Sequence, residues 1–216
     1  LHDALPISGL GQTLGSTGEP DQVVVSRGGS QGEISSFLAV ASMTLVKQDP
    51  AIARGADGLP LASGELIVIT EVPRPGQDTG ANVSLRGIEP VGLALRPKFR
   101  LLQGRMFRPG VQEIIVGVGA ARQFSGLELG RELRFRGGRW TIVGHFESGG
   151  AYDSELWTDR ETAQGAFSRP GVSSILARLK DPSLLPAMEA RLKADPQLDV
   201  DVRGQGAFFA GQSGGL

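Results

Sequence analysis

Short apolar runs recur along the whole chain and are separated by turns rich in glycine, proline and acidic residues. Near the N-terminus, QVVVSR (22–27) reads as a strand. Residues 35–48 read as a helix: Ser35 or Ser36 can cap its start, and Ile34, Phe37, Leu38, Ala41 and Leu45 recur at helical spacing on one face. Asp49-Pro50 ends it, because a residue before proline is driven out of the helical region. SGELIVITEV (63–72) is a strongly apolar strand, PRPGQDTG a loop, and a further strand begins over 81–86.

The middle of the chain predicts strands at 99–102, 113–116, 131–136 and 140–147. RFRGGRW is a hairpin signal, with Gly137-Gly138 between two alternating runs. GVGAARQF reads as a short helix, and 156–157 as a closing strand. Thr158-Asp159-Arg160-Glu161 has the capping-box pattern of a helix that ends near Phe167. Beyond it, 172–179 is a strand. Asp181 caps a helix with Pro182 at its first position, and Leu185, Met188 and Leu192 share a face before Asp195-Pro196. Residues 198–203 alternate as a strand. The chain therefore opens and closes with β-α-β units. The fold class is α+β with two lobes: a split lobe over 8–90 and 169–210, and an inserted, mainly-β lobe over 91–168.

Composition removes several functions. The net charge of −1 lacks the basic excess of a nucleic-acid binder, so no nucleic-acid partner is expected. The absence of cysteine removes disulfides, thiol catalysis and cysteine zinc sites. With only His2 and His145, a multi-histidine metal site cannot be built. No apolar run is long enough to span a bilayer as a helix. Residues 1–7, LHDALPI, resemble a translated sequencing adapter and are set aside, His2 with them. Residues 8–20 read as a Gly/Ser-rich loop. Residues 211–216 read as a truncated end, in a chain expected to be a fragment from which flanking membrane helices could have been lost.

Candidate chemistry is sparse. GLGQTLGSTG lacks the spacing of a phosphate loop and follows no strand. VGVGAAR follows a strand and opens a helix, but lacks the third glycine of a dinucleotide turn. His145 lies near Glu147, Asp153 and Ser154, yet no serine sits in a GxSxG elbow. A hydrolase using His145 is therefore only an alternative. Asp199 and Asp201 share a strand face, and Glu113, Glu147 and Glu155 are scattered, which leaves cation binding undecided. Phe208-Phe209 is a core or membrane-proximal pair. The expectation is a non-enzyme with no catalytic, cofactor-binding or metal residues.

Several segments together resemble one family: SGELIVITEVPR, ANVSLRGIEP, LLQGRMFRPGVQEIIVGVGAARQF, LGRELRFRGGRWTIVGHFESGGAYDSELWTD, SSILARLKDP and LKADPQLDVDV. The chain is similar, over about residues 9–213, to the MacB-like periplasmic core domain of FtsX-type ABC-transporter permeases. The resemblance implies a domain between the first and second membrane helices of a permease, with a porter-like lobe and a mainly-β lobe. It implies a homodimeric or heterodimeric permease in the bacterial inner membrane, with this domain on the periplasmic side. An ABC ATPase subunit or domain would bind the ATP, so this chain would hold no cofactor, and a periplasmic adaptor protein is a possible partner. AFFAGQS would lead into the second membrane helix. The implied function is coupling of ATP hydrolysis to export or mechanotransmission. The alternative is a stand-alone periplasmic ligand-binding or adaptor module, with a cleft between the lobes.

Overall fold

Strand β2 (Ala62–Val72) is shared by two sets of ladders, and the architecture is arranged around it. The computed structural model describes residues 18–74, 76–135 and 138–213. Along the chain it runs β1 (Gln22–Arg27), α1 (Val40–Lys47), β2, β3 (Ala81–Ile88), α2 (Val91–Ala94), β4 (Arg100–Gly104), β5 (Glu113–Gly117) and α3 (Val118–Gln123). It continues through β6 (Glu132–Phe135), β7 (Gly138–Glu147), a 3-10 turn (Gly150–Ser154), β8 (Leu156–Asp159), α4 (Arg160–Ala166) and β9 (Ser174–Arg178). A second 3-10 turn (Pro182–Leu184), α5 (Leu185–Ala194), β10 (Val200–Gly204) and α6 (Gln205–Ser213) complete it.

The ten strands form one mixed sheet in the order β10-β1-β9-β2-β3-β8-β5-β7-β4, with β6 paired to β7. In the first half, β1 and β2 both run antiparallel to β9, and β9 and β10 both run antiparallel to β1. The β1-α1-β2 and β9-α5-β10 units therefore interlock, each lending a strand to the gap in the other. Except for α6, which follows β10, the remaining elements are inserted between these units. There β3 runs parallel to β8 and β5 parallel to β7. The expected division at residue 90 runs between β3 and α2, whereas the ladders change sides inside β2: residues 62–65 pair with β9 and 66–72 with β3.

Successive strand residues point to opposite faces, and this alternation sorts the apolar side chains into three cores. Val23, Val25, Ile175 and Ala177 pack under α1 and α5 with Met43, Val46, Met188 and Leu192. On the inserted side, Ile114, Val116, Leu156, Trp140 and Ile142 pack with Ala120 of α3, Ala163 of α4 and Phe167. The intervening positions, Val24, Leu176, Ile115 and Trp157, form the third core with Phe146, Tyr152, Phe208 and Phe209. This last layer takes residues from both halves of the sheet. Phe146 and Trp157 stack in it at 4.1 Å between ring centroids.

Two local expectations are corrected. The first helix begins after Ala39, not at residue 35, and no side chain caps it. Leu38 instead bridges to Val172 through backbone hydrogen bonds in both directions, which holds 35–38 out of the helix. Its buried face is Met43 and Val46, while Ile34 and Phe37 are 49% and 44% exposed. The Ser36 hydroxyl accepts from the Arg27 amide and donates to the Ser173 carbonyl. Helix α4 is capped by Asp159, which accepts from the Thr162 amide at 3.1 Å. Thr158 is drawn away, its hydroxyl donating to the Glu113 carbonyl. Residues 1–17, Gly137 of the hairpin signal and 214–216 lie outside the described residues. Among the described residues no helix is long and apolar enough to cross a membrane.

Gly87 on β3 faces α4 at a distance that admits no side chain: a Cβ there would lie 2.8 Å from the Arg160 Cα. Gly87→Ala is expected to push α4 off the sheet and lower stability by about 1–3 kcal/mol, read from the urea unfolding midpoint. An unchanged midpoint would show that α4 is not held against β3.

Candidate functional site

Where the ladders change sides, β2 needs partners that strands do not supply. The Ile67 amide donates to Ser173 Oγ at 2.9 Å, and the Gly64 amide donates to the Glu89 carboxylate. Charge gathers at this point on both faces of β2. On the face of the first two cores, Glu89 takes Lys47 at 2.6 Å and Arg160 at 3.0 Å. On the other face, Glu65 of β2 lies beside Arg86 of β3 in a larger buried cluster.

Arg86 is 1% exposed, and all five of its N–H donors are used. Nη1 and Nη2 grip Glu33 at 2.6 and 2.8 Å. Nε and Nη2 grip Glu155 at 2.8 and 2.9 Å, and Nη1 reaches Glu65 at 3.2 Å. Arg96, which follows α2, donates twice more to Glu65. The carboxylates also accept from Ser63 on Glu65, Ser174 on Glu33 and the Trp157 indole on Glu155. Tyr152 closes one side, its ring 4.4 Å from the Arg96 guanidinium and 5.3 Å from that of Arg86. Three carboxylates thus meet two guanidiniums in an enclosed space.

The fields in the cluster are strong because little water screens them. Burial raises the Glu65 carboxyl, but Arg96, Arg86 and Ser63 outweigh it, so the group titrates below the ordinary glutamate range. Burial works against the charge on Arg86, yet Glu155 and Glu33 hold its proton well above the usual arginine value. Burial pushes the Tyr152 phenol up, so it stays protonated. Such a cluster adds little net stability over apolar packing, but breaking it strands charge. Its chemical capacity is to join rather than to react: the two halves of the sheet meet through Glu33 and Ser174 on one side, and Arg86 and Glu155 on the other.

The residues singled out from the sequence are dispersed. His145 is half-buried, with Nε2 2.7 Å from the Leu127 carbonyl. Asp153 instead accepts the Ser148 and Gly149 amides, and Glu147 pairs with Arg100 at the surface. Among the described residues no hydrogen bond joins His145 to Glu147, Asp153 or Ser154, so no triad is assembled. Glu113 pairs with Arg105, Glu155 with Arg86 and Asp199 with Arg27, while Asp201 accepts the Gly29 amide. These carboxylates do not converge, and no metal-holding group of three or more occurs among the described residues. Gly117 and Gly119 are pressed against the Asp153 carbonyl, so VGVGAAR serves close backbone packing. Phe208 and Phe209 are buried in the third core. A groove of about 710 Å³ lies along Leu59, Leu61 and Val91 and is bordered by Lys47 and Glu89, the charges on the outer face of the junction.

Glu33, Glu65, Arg86 and Arg96 were not singled out from the sequence. The available signal was a charge inside an apolar strand, Glu65 in SGELIVI and Arg86 in VSLRGI.

The family model of the MacB-like periplasmic core domain matches residues 8–195. No curated protein matches the chain. The periplasmic region of MacB from Actinobacillus actinomycetemcomitans aligns with a TM-score of 0.65 at 13% identity, over 95% of this chain and 97% of that one. The extracellular domain of the noncanonic ABC-type transporter YknZ from Gram-positive bacteria gives 0.62 at 13% identity, over 85% and 100%. A domain of a permease protein from Porphyromonas gingivalis gives 0.51 at 18% identity, over 85% and 88%.

Arg86→Met is expected to cost about 3–5 kcal/mol at neutral pH, because it leaves buried carboxylates with too few cations. In the parent, the lowered Glu65 carboxyl contributes stability that is whole above its ordinary value of 4.5 and is lost as the pH falls below it. The variant takes up protons on folding, so acid favours it, and the two stability curves should converge as the pH falls. Parallel curves from denaturant titrations across this range would sink the assignment.

Proposed function

The chain belongs to the MacB-like periplasmic core domain family, and on that basis we propose that it couples ATP hydrolysis to export across the bacterial inner membrane. The family match, which spans both halves of the sheet, carries this reading. In it the domain stands on the periplasmic side of a permease dimer, and a separate ABC ATPase supplies the energy. The two sides of the sheet act as bodies whose relative placement is held at β2, and rigid-body movement carries the nucleotide state outward. A joint whose central guanidinium, Arg86, uses all its donors suits this role, since it has discrete arrangements and resists gradual deformation.

The 216 residues hold no cysteine, so a cysteine introduced here is the single thiol of this domain, and any cysteines elsewhere in the assembly are replaced first. Thr79→Cys lies on the exposed loop between β2 and β3. With a spin label there, the permease assembled with its ATPase is expected to show a distance between its two copies that changes when ATP is added. A distance indifferent to ATP would refute the coupling role, and the absence of any paired distance would refute a homodimer.

A further inference from the structure

Helix α6 follows β10 without an intervening residue and meets the charged cluster at both of its ends. At its first residue, Gln205 is 1% exposed, and its Nε2 donates to the Tyr152 hydroxyl at 3.0 Å. Gln205 Oε1 accepts from the Glu19 amide at 2.9 Å, which fixes the orientation of the side-chain amide. The Tyr152 ring covers both guanidiniums and meets Phe209 of α6 edge-on at 5.3 Å. Near the other end, Gln212 Oε1 accepts from the Glu33 amide at 2.9 Å, and the carboxylate of that same Glu33 grips Arg86. Gly32, at φ +88°, lets this loop approach: a Cβ there would lie 3.2 Å from Gln212 Oε1. Two separate routes, one through an aromatic ring and one through a carboxylate, therefore end on one guanidinium.

We propose that α6 is linked to the junction of the sheet through Gln205–Tyr152 and Gln212–Glu33, with Gln205, Tyr152 and Gln212 acting as positioning residues for Arg86. Its use in transport rests on the coupling role proposed above, but the linkage itself does not. The physical reason is the cost of leaving buried polar groups unpaired. When α6 shifts, Tyr152 and Glu33 must follow it or lose partners. Arg86 has no spare donor with which to absorb the change.

The test reads the Arg86 Nε–H directly by NMR hydrogen exchange on the 216-residue chain. Gln205→Leu and Gln212→Leu are each expected to accelerate that exchange by about fivefold, the scale of one buried hydrogen bond. Tyr152→Phe keeps the ring and removes only the hydroxyl, and it should act like Gln205→Leu. The Ile175 amide, in the core under α1 and α5, should keep its parent rate, and Ala210→Ser, on the exposed side of α6, should leave both probes unchanged. Unaltered Arg86 exchange in all three variants overturns the linkage. So does equal acceleration at Ile175, which marks general loosening. In the assembled permease, Gln212→Leu is expected to abolish the ATP-driven change at the Thr79→Cys label. A full change in that variant overturns the use of the linkage in coupling. An unresponsive parent permease refutes the transport role instead, and leaves the linkage to stand on the exchange data.

Discussion

Three carboxylates and two guanidiniums enclosed at one point of β2 constrain everything around them. A charge taken out of water must be met from several directions at once. Here those directions are the loop after β1, β2 itself, β3, the segment after α2 and the approach to β8. Each supplies one member, so each has its position set to within hydrogen-bond tolerance by the others. Apolar packing alone would permit the two halves of the sheet to slide or rotate at β2, because burial is nondirectional. Hydrogen bonds to charged groups are directional, and they select one arrangement.

The aromatic layer beneath the cluster serves the same end by other means. Trp157 touches both kinds of environment. Its ring stacks on Phe146 and Phe99, its face meets Arg96, and its indole N–H serves Glu155. Rings can lie against a cation without competing for its donors, so Tyr152 and Trp157 shield the guanidiniums from water while leaving the carboxylates their partners. On the opposite face, Glu89 with Lys47 and Arg160 separates the two apolar cores at Gly64. The same short stretch of β2 is thus bracketed by charge above and below.

Much of the fold was legible because strands announce themselves by composition and alternation. The runs at 22–27, 113–116 and 140–147 lie close to their observed bounds, and the β-α-β units at either end follow from their order. Local competition misled elsewhere. Ser36 has the chemistry of a helix cap, but a tertiary bridge at Leu38 claims the backbone first, and Asp159 outcompetes Thr158 because Thr158 finds a strand carbonyl. The junction was not legible for a different reason. Its members lie as far apart as Glu33 and Glu155, and each reads alone as an ordinary surface charge. Only Glu65 and Arg86, embedded in apolar strands, carried a local sign of burial. His145, chemically the more suggestive residue, proved to be engaged with a backbone carbonyl.

The saturation of Arg86 also bears on how such a chain can change over generations. A lysine at this position has three donors where five are in use, and an apolar residue leaves three acids without their central cation. Replacing any one acid leaves the guanidinium partly unmatched. Positions 33, 65, 86, 96 and 155 are therefore coupled in any stepwise replacement, as they are in space. They can be exchanged for an apolar plug only as a set, and single steps along that path pass through less stable intermediates. Lineages that keep the arginine should keep its three acids, whatever happens to the surface around them.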